Sequence, residues 1–178
     1  SYMYINQKGF NFPISWAYMI VKKPSASVSE QRLLTIYDNN SGNYFKVSLT
    51  GSTLSYVFNY SGTDYTQYST STGTINSKIT IGINFDYFKT STNDNLFSFF
   101  NSNDLVLYFG GMPNQSLTFD GNIYKIGLCN SFSINDISAN FTNGIANISN
   151  TIEDNIATYT VFSKNFLQDR KSTRLNSS

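Results

Sequence analysis

Phe10, Phe12, Ile14, Trp16, Tyr18 and Ile20 occupy every second position, with Asn11, Pro13, Ser15, Ala17 and Met19 between them. Period two is the pitch of a pleated strand, whose side chains point alternately to opposite faces. A face this apolar must be buried against a second layer, so the segment already demands a sheet packed on another sheet. A second stretch, Gly121-Asn-Ile-Tyr-Lys-Ile-Gly-Leu-Cys-Asn130, alternates in the same way. It runs into Ser131-Phe-Ser-Ile-Asn-Asp-Ile137, where Ser133 and Asp136 read as the start of a short helix with Ile134, Ile137 and Phe141 on one side.

Further strands follow the same rule. Leu33–Tyr37 turns through Asp38–Asn43 into Tyr44–Thr50, a hairpin, and Gly51 leads into Leu54, Tyr56, Phe58 and Tyr60. Residues 61–77 are polar and suit an edge strand or a loop. Ile79, Ile81, Ile83 and Phe85 alternate with Thr80, Gly82 and Asn84, whereas the aromatics of Asp86–Asp104 follow no strict period of two. Leu105–Phe109 is a short apolar strand stopped by Gly110, Gly111 and Pro113, and Ala157–Phe162 reads as a terminal strand. Strands at spacings of about ten residues suit a two-sheet sandwich. Its core is expected to hold Trp16, Phe58, Ile81, Leu107 and Ile126.

Composition agrees. The chain of 178 residues carries 15 Phe and 13 Tyr, only 13% of its residues are charged, and Glu occurs at 30 and 153 alone. Such a mix favours pleated faces and turns over helices. Residues 1–168 hold nine Lys/Arg against ten Asp/Glu, a net −1. No basic patch exists to follow a phosphate backbone, so nucleic acid is not an expected partner. The longest apolar runs fall far short of a membrane span. The segment 169–178 breaks composition with three basic residues in six and no apolar pattern. It resembles translated adapter read-through and is set apart, which leaves one domain over 1–168. That domain opens at Ser1 without an initiator Met, as a truncated piece would.

The residues that are missing bound the chemistry. With no His there is no Ser-His-Asp or Cys-His arrangement and no His-containing metal site. The single cysteine, Cys129, rules out an intrachain disulfide and reads as a small buried hydrophobe. Retaining glycosidases need two carboxyl groups about 5–5.5 Å apart. Neither Glu30 nor Glu153 has an acidic neighbour at a strand spacing, which leaves only an Asp pair brought together by folding. No enzyme is expected. Calcium is the one metal the residues suit, with Asp38 and Asn40, Asp86, Asp94 or Asp120 as candidate contributors, although Asp and Asn at such positions also form turns. An aromatic surface for carbohydrate would use Tyr60, Tyr65, Tyr68 or Tyr87, which lie near loops; Trp16 falls within an apolar face.

Four segments together resemble a laminin-G-like, concanavalin A-like domain: Ile14-Ser-Trp16; Tyr44–Tyr60 with Gly51; Ile79–Asp86; and Leu105–Gly111 followed by Phe119–Gly127. The phrase F-x-G-x-I-Y-K-I-G, with Gly127 small enough for close packing, ends such sandwiches. The order of these segments, a helix and Ala157-Thr-Tyr-Thr-Val161 is similar to domains in tail or virion structural proteins of tailed phages infecting gut Firmicutes.

The resemblance implies an all-β, two-sheet antiparallel jelly-roll sandwich with one short helix, located in a virion. Its expected partners are other virion subunits, further copies of itself and a host-surface polysaccharide. The alternative is a carbohydrate-binding module of a bacterial surface protein or glycanase, extracellular or at the cell surface. The expected site is the rim opposite the helix, with Tyr60, Tyr65, Tyr87 and Asn40 as ligand contacts and Asp38 and Asp86 as calcium ligands.

Overall fold

A computed structural model describes residues 2–6, 15–22, 29–71, 78–115, 117–129, 144–148 and 168–170. In chain order the elements are β1 (Tyr2–Asn6), β2 (Trp16–Lys22), β3 (Glu30–Asp38), β4 (Tyr44–Thr50), β5 (Thr53–Tyr60), β6 (Thr63–Ser71) and β7 (Lys78–Asn84). Two helices follow, α1 (Phe85–Lys89) and α2 (Asp94–Phe100), then β8 (Leu105–Phe109), β9 (Asn122–Cys129), β10 (Ile145–Ile148) and β11 (Gln168–Arg170). The strands form a seven-stranded sheet, β11-β1-β8-β3-β4-β5-β6, and a four-stranded sheet, β10-β7-β2-β9. Every strand pair is antiparallel. The fold is an all-β, two-sheet sandwich.

One face of each sheet builds the core. From the larger sheet come Leu34, Ile36, Phe45, Val47, Leu49, Leu54, Tyr56, Phe58, Leu107 and Phe109; from the smaller come Ala17, Met19, Val21, Ile81, Ile83 and Leu128. Trp16, Phe58, Ile81 and Leu107 are buried as expected, and Ile126 is partly buried against the cluster. The phase of β2 differs from the sequence reading, however. Ala17, Met19 and Val21 enter the inter-sheet core, while Trp16, Tyr18 and Ile20 point to the opposite face. Those three are fully buried all the same. β2 lies between β7 and β9 and is covered on both sides, and for such a strand alternation cannot say which face meets the other sheet.

The segment without a period of two is helical, so there are two short helices where the fold reading placed none. Asn84 ends β7 and caps α1, its Oδ1 accepting from Tyr87 N at 3.1 Å. Asn93 caps α2 by accepting from Asn95 N at 3.0 Å and Leu96 N at 3.1 Å. Phe85 and Phe88, then Leu96, Phe99 and Phe100, are the buried residues, at the i, i+3, i+4 spacing of a helix face. Phe88 and Phe100 stack at 4.8 Å, and Phe45 meets them at 4.9 and 5.1 Å, so the helices close one end of the core.

Residues 61–77 divide at β6, an edge strand. β1 and β10, which alternation did not reveal, complete the sheets, and β11 pairs Gln168, Asp169 and Arg170 with β1 across the boundary drawn at 168. The helix expected over 133–141, the strand over 157–162, and the side chains of Cys129 and Tyr68 lie outside the described residues.

Candidate functional site

The seven-stranded sheet turns its polar positions away from the core. Register places Tyr4, Tyr108, Thr35, Lys46 and Val57 in one row across five strands. Val106, Tyr37, Tyr44, Asn59 and Asp64 make the next row, and Arg32, Ser48 and Ser55 a third. Aromatic area and hydrogen-bonding groups therefore share one continuous face. The rings of Tyr4 and Tyr108 lie 5.8 Å apart. Arg32, Thr35, Lys46, Ser48 and Asn59 are buried among the long side chains around them.

Two of the carboxylates on this face are matched to neighbours. Lys46 Nζ lies 2.8 Å from Glu30 Oε1, and Ser48 Oγ donates to the same oxygen at 2.9 Å. Burial alone would raise the Glu30 carboxyl, but the hydrogen bonds from Lys46 and Ser48 and the charges of Lys46 and Arg32 outweigh it, so it titrates below its ordinary value. Asp64 Oδ1 accepts from Asn59 Nδ2 at 2.6 Å and from the Tyr44 hydroxyl at 3.2 Å. Burial, reinforced by the Asp64 charge, pushes the Tyr44 phenol up.

Arg32 joins this face through a β-bulge. The β3–β4 register runs Arg32↔Ser48 and then Leu34↔Val47, so Leu33 is an extra residue in the ladder. Arg32 and Thr35, three positions apart, thus share the outer face, while Leu33 and Leu34 both enter the core. The Arg32 guanidinium carbon stands 5.3 Å from the Tyr44 ring centroid, and Nη1 approaches Met112 Sδ at 3.3 Å. Arg32 Nε and Thr35 Oγ1 are buried with no hydrogen-bond partner.

The residues expected at the rim are placed as follows. Asp38 accepts from Asn40 N at 2.9 Å through Oδ1 and from Ser41 Oγ at 2.8 Å through Oδ2, which makes it a turn former. The Asn40 amide donates to Asp104 before β8, and Asn43 Oδ1 accepts from Ser61 N at 2.9 Å in the β5–β6 turn. Three loops therefore meet at this end. Tyr65 and Tyr87 are 47% exposed, while Tyr60 packs against the core. Tyr60 and Tyr87 lie at the ends of a chain of ring contacts running through Phe58, Phe99, Phe100 and Phe88. Asp86 is exposed in the first turn of α1. Among the described residues no group of three or more His, Cys, Asp or Glu side chains could hold a metal.

The sequence reading looked to the rim loops and did not single out the sheet face. Tyr44, Lys46 and Ser48 alternate with Phe45, Val47 and Leu49, so their common face was legible. That Glu30, Arg32 and Asp64 converge on it depends on strand order and on the bulge.

The architecture defines a β-sandwich protein with a polar, aromatic sheet face. No family model matches the chain, and no curated protein matches it in sequence. Among solved structures it is similar to NanB with Optactamide and to a point mutant of NanB sialidase from Streptococcus pneumoniae. Each is 16% identical with a TM-score of 0.56, over 79% of this chain and 26% of the other. The chain spans about a quarter of the length of those chains. At that identity the likeness shows the fold alone.

Proposed function

We propose that this chain is a non-catalytic glycan-recognition sandwich of the concanavalin A-like kind, carried on the tail or particle of a phage. The observation that carries the reading is the outer face of the seven-stranded sheet, where Tyr37, Tyr44 and Tyr108 stand half-buried among Thr35, Lys46, Asn59 and Asp64. Half-buried rings give flat apolar area at low entropic cost, and hydroxyl, amide and charged groups beside them match the hydroxyls of a sugar. The rim with Asn40, Tyr65 and Tyr87 is a second contact zone of the same ligand. Many copies on one particle would turn millimolar single-site affinity into firm adsorption. A non-catalytic role is supported by the absence of His and by the engagement of Glu30 with Lys46.

A carbohydrate-binding module of a bacterial surface protein or glycanase is the second reading. It is favoured by the likeness to about a quarter of a sialidase chain. Neighbouring genes separate the two, because a phage gene lies among capsid and tail genes. The recognition itself is tested by binding of the purified chain to bacterial surface polysaccharides. Tyr37→Ala with Tyr108→Ala is expected to weaken binding at least tenfold, and the Tyr60, Tyr65 and Tyr87 triple alanine variant to weaken it less. If the unaltered chain binds no polysaccharide, only a passive structural role remains.

A further inference from the structure

Resting on the glycan-recognition reading, we propose that Arg32 receives the anionic group of an acidic glycan, a uronate carboxylate or a phosphodiester. The guanidinium is poorly matched where it sits. Arg32 is 5% exposed, yet its Nε has no hydrogen-bond partner and Nη1 meets only the thioether of Met112. A thioether is a weak acceptor, and although the Glu30 charge and the Tyr44 ring are near, withdrawing a cation from water without a hydrogen-bonded anion or strong acceptors is costly.

The described acidic groups on this face, Glu30 and Asp64, are engaged elsewhere. Glu30 is paired with Lys46 at 2.8 Å and accepts from Ser48. Asp64 accepts from Asn59 and Tyr44. Among the described residues of this face, Arg32 is thus the cation left without a hydrogen-bonded counter-charge, and it shares that face with Tyr44, Tyr37 and Tyr108.

A planar guanidinium fits a carboxylate or phosphate through two parallel hydrogen bonds, far stronger than its contact with sulfur. Met112 occupies the place of that anion. It is half-buried in the loop after Gly110 and Gly111, and its unbranched side chain has the torsional freedom to move aside.

This assignment makes stability and binding respond in opposite directions. The purified chain is titrated calorimetrically with glucuronic acid, galacturonic acid and glycerol phosphate, and with glucose, galactose and glycerol as neutral controls. An anionic probe is expected to bind at least tenfold more tightly than its neutral parent, and which anion is preferred distinguishes carboxylate from phosphodiester. Arg32→Met is expected to erase the preference while leaving the melting temperature unchanged or higher. Arg32→Lys should lower it severalfold, and Met112→Ala should strengthen anion binding. Equal affinity for anionic and neutral probes would overturn the assignment and leave glycan recognition standing. So would unchanged anion binding by Arg32→Met, or a melting temperature several degrees lower in that variant, which would mark a structural arginine. If no probe binds and the polysaccharide test also fails, both readings fall together.

Discussion

The ring of Tyr18 lies against Gly127, its register partner on the neighbouring strand, so closely that a Cβ at Gly127 would stand inside the ring. The partner of Tyr18 on the other side is Gly82. A large ring is therefore flanked by two residues without side chains, at a position with 1% exposure.

Gly127→Ala is accordingly expected to destabilise the fold by about 1–3 kcal/mol, the usual cost of overpacking. In a Tyr18→Ala background the same change should cost little, because the clashing ring is gone. Chemical denaturation of the four variants measures the coupling. Equal costs in both backgrounds would show that Gly127 is required for its backbone and not for the ring.

The Glu30–Lys46–Ser48 cluster gives stability a definite response to acid. The folded-state pKa of Glu30 lies below its ordinary 4.5, so the unfolded chain binds more protons as pH falls. The contribution of this group is present above about pH 4.5 and is lost as pH drops through its folded value. Thermal melts from pH 7 to pH 2 should fall less steeply for Glu30→Gln than for the unaltered chain. Parallel acid limbs would remove Glu30 from the explanation.

The caps of the two helices are expected to matter more than their length suggests, because Phe88, Phe99 and Phe100 rely on them for position. Asn93→Ala removes the acceptor for two amide hydrogens and should cost about 1 kcal/mol, whereas Asn93→Gly should cost only a few tenths. Urea midpoints of the two variants decide it: equal losses would mean that the cap is dispensable.

Much of this architecture was legible in the chain. Alternation in 44–50, 54–60 and 79–83 located three strands, because a pleated strand must separate its apolar and polar residues whenever one face is dry, and the short apolar runs 33–37 and 105–109 located two more. The helices were legible too, in the spacing of Leu96, Phe99 and Phe100 behind Asn93, but only to a reader looking for a period of 3.6.

Other features belong to the tertiary structure. β2 is apolar on both faces, so its sequence is the same whichever side meets the other sheet; pairing with Ile81 and Ile126 decided for Met19 and against Tyr18. Arg32 faces outward because one extra residue, Leu33, shifts the ladder, and a bulge is set by the partner strand as much as by its own residues. The polar face likewise exists only once β1, β8, β3, β4, β5 and β6 lie side by side, since Tyr4, Tyr108, Thr35 and Lys46 are distant in the chain and adjacent across the sheet. Local periodicity reports which residues avoid water. It carries no information about which strand becomes whose neighbour, because that depends on contacts between residues far apart in sequence.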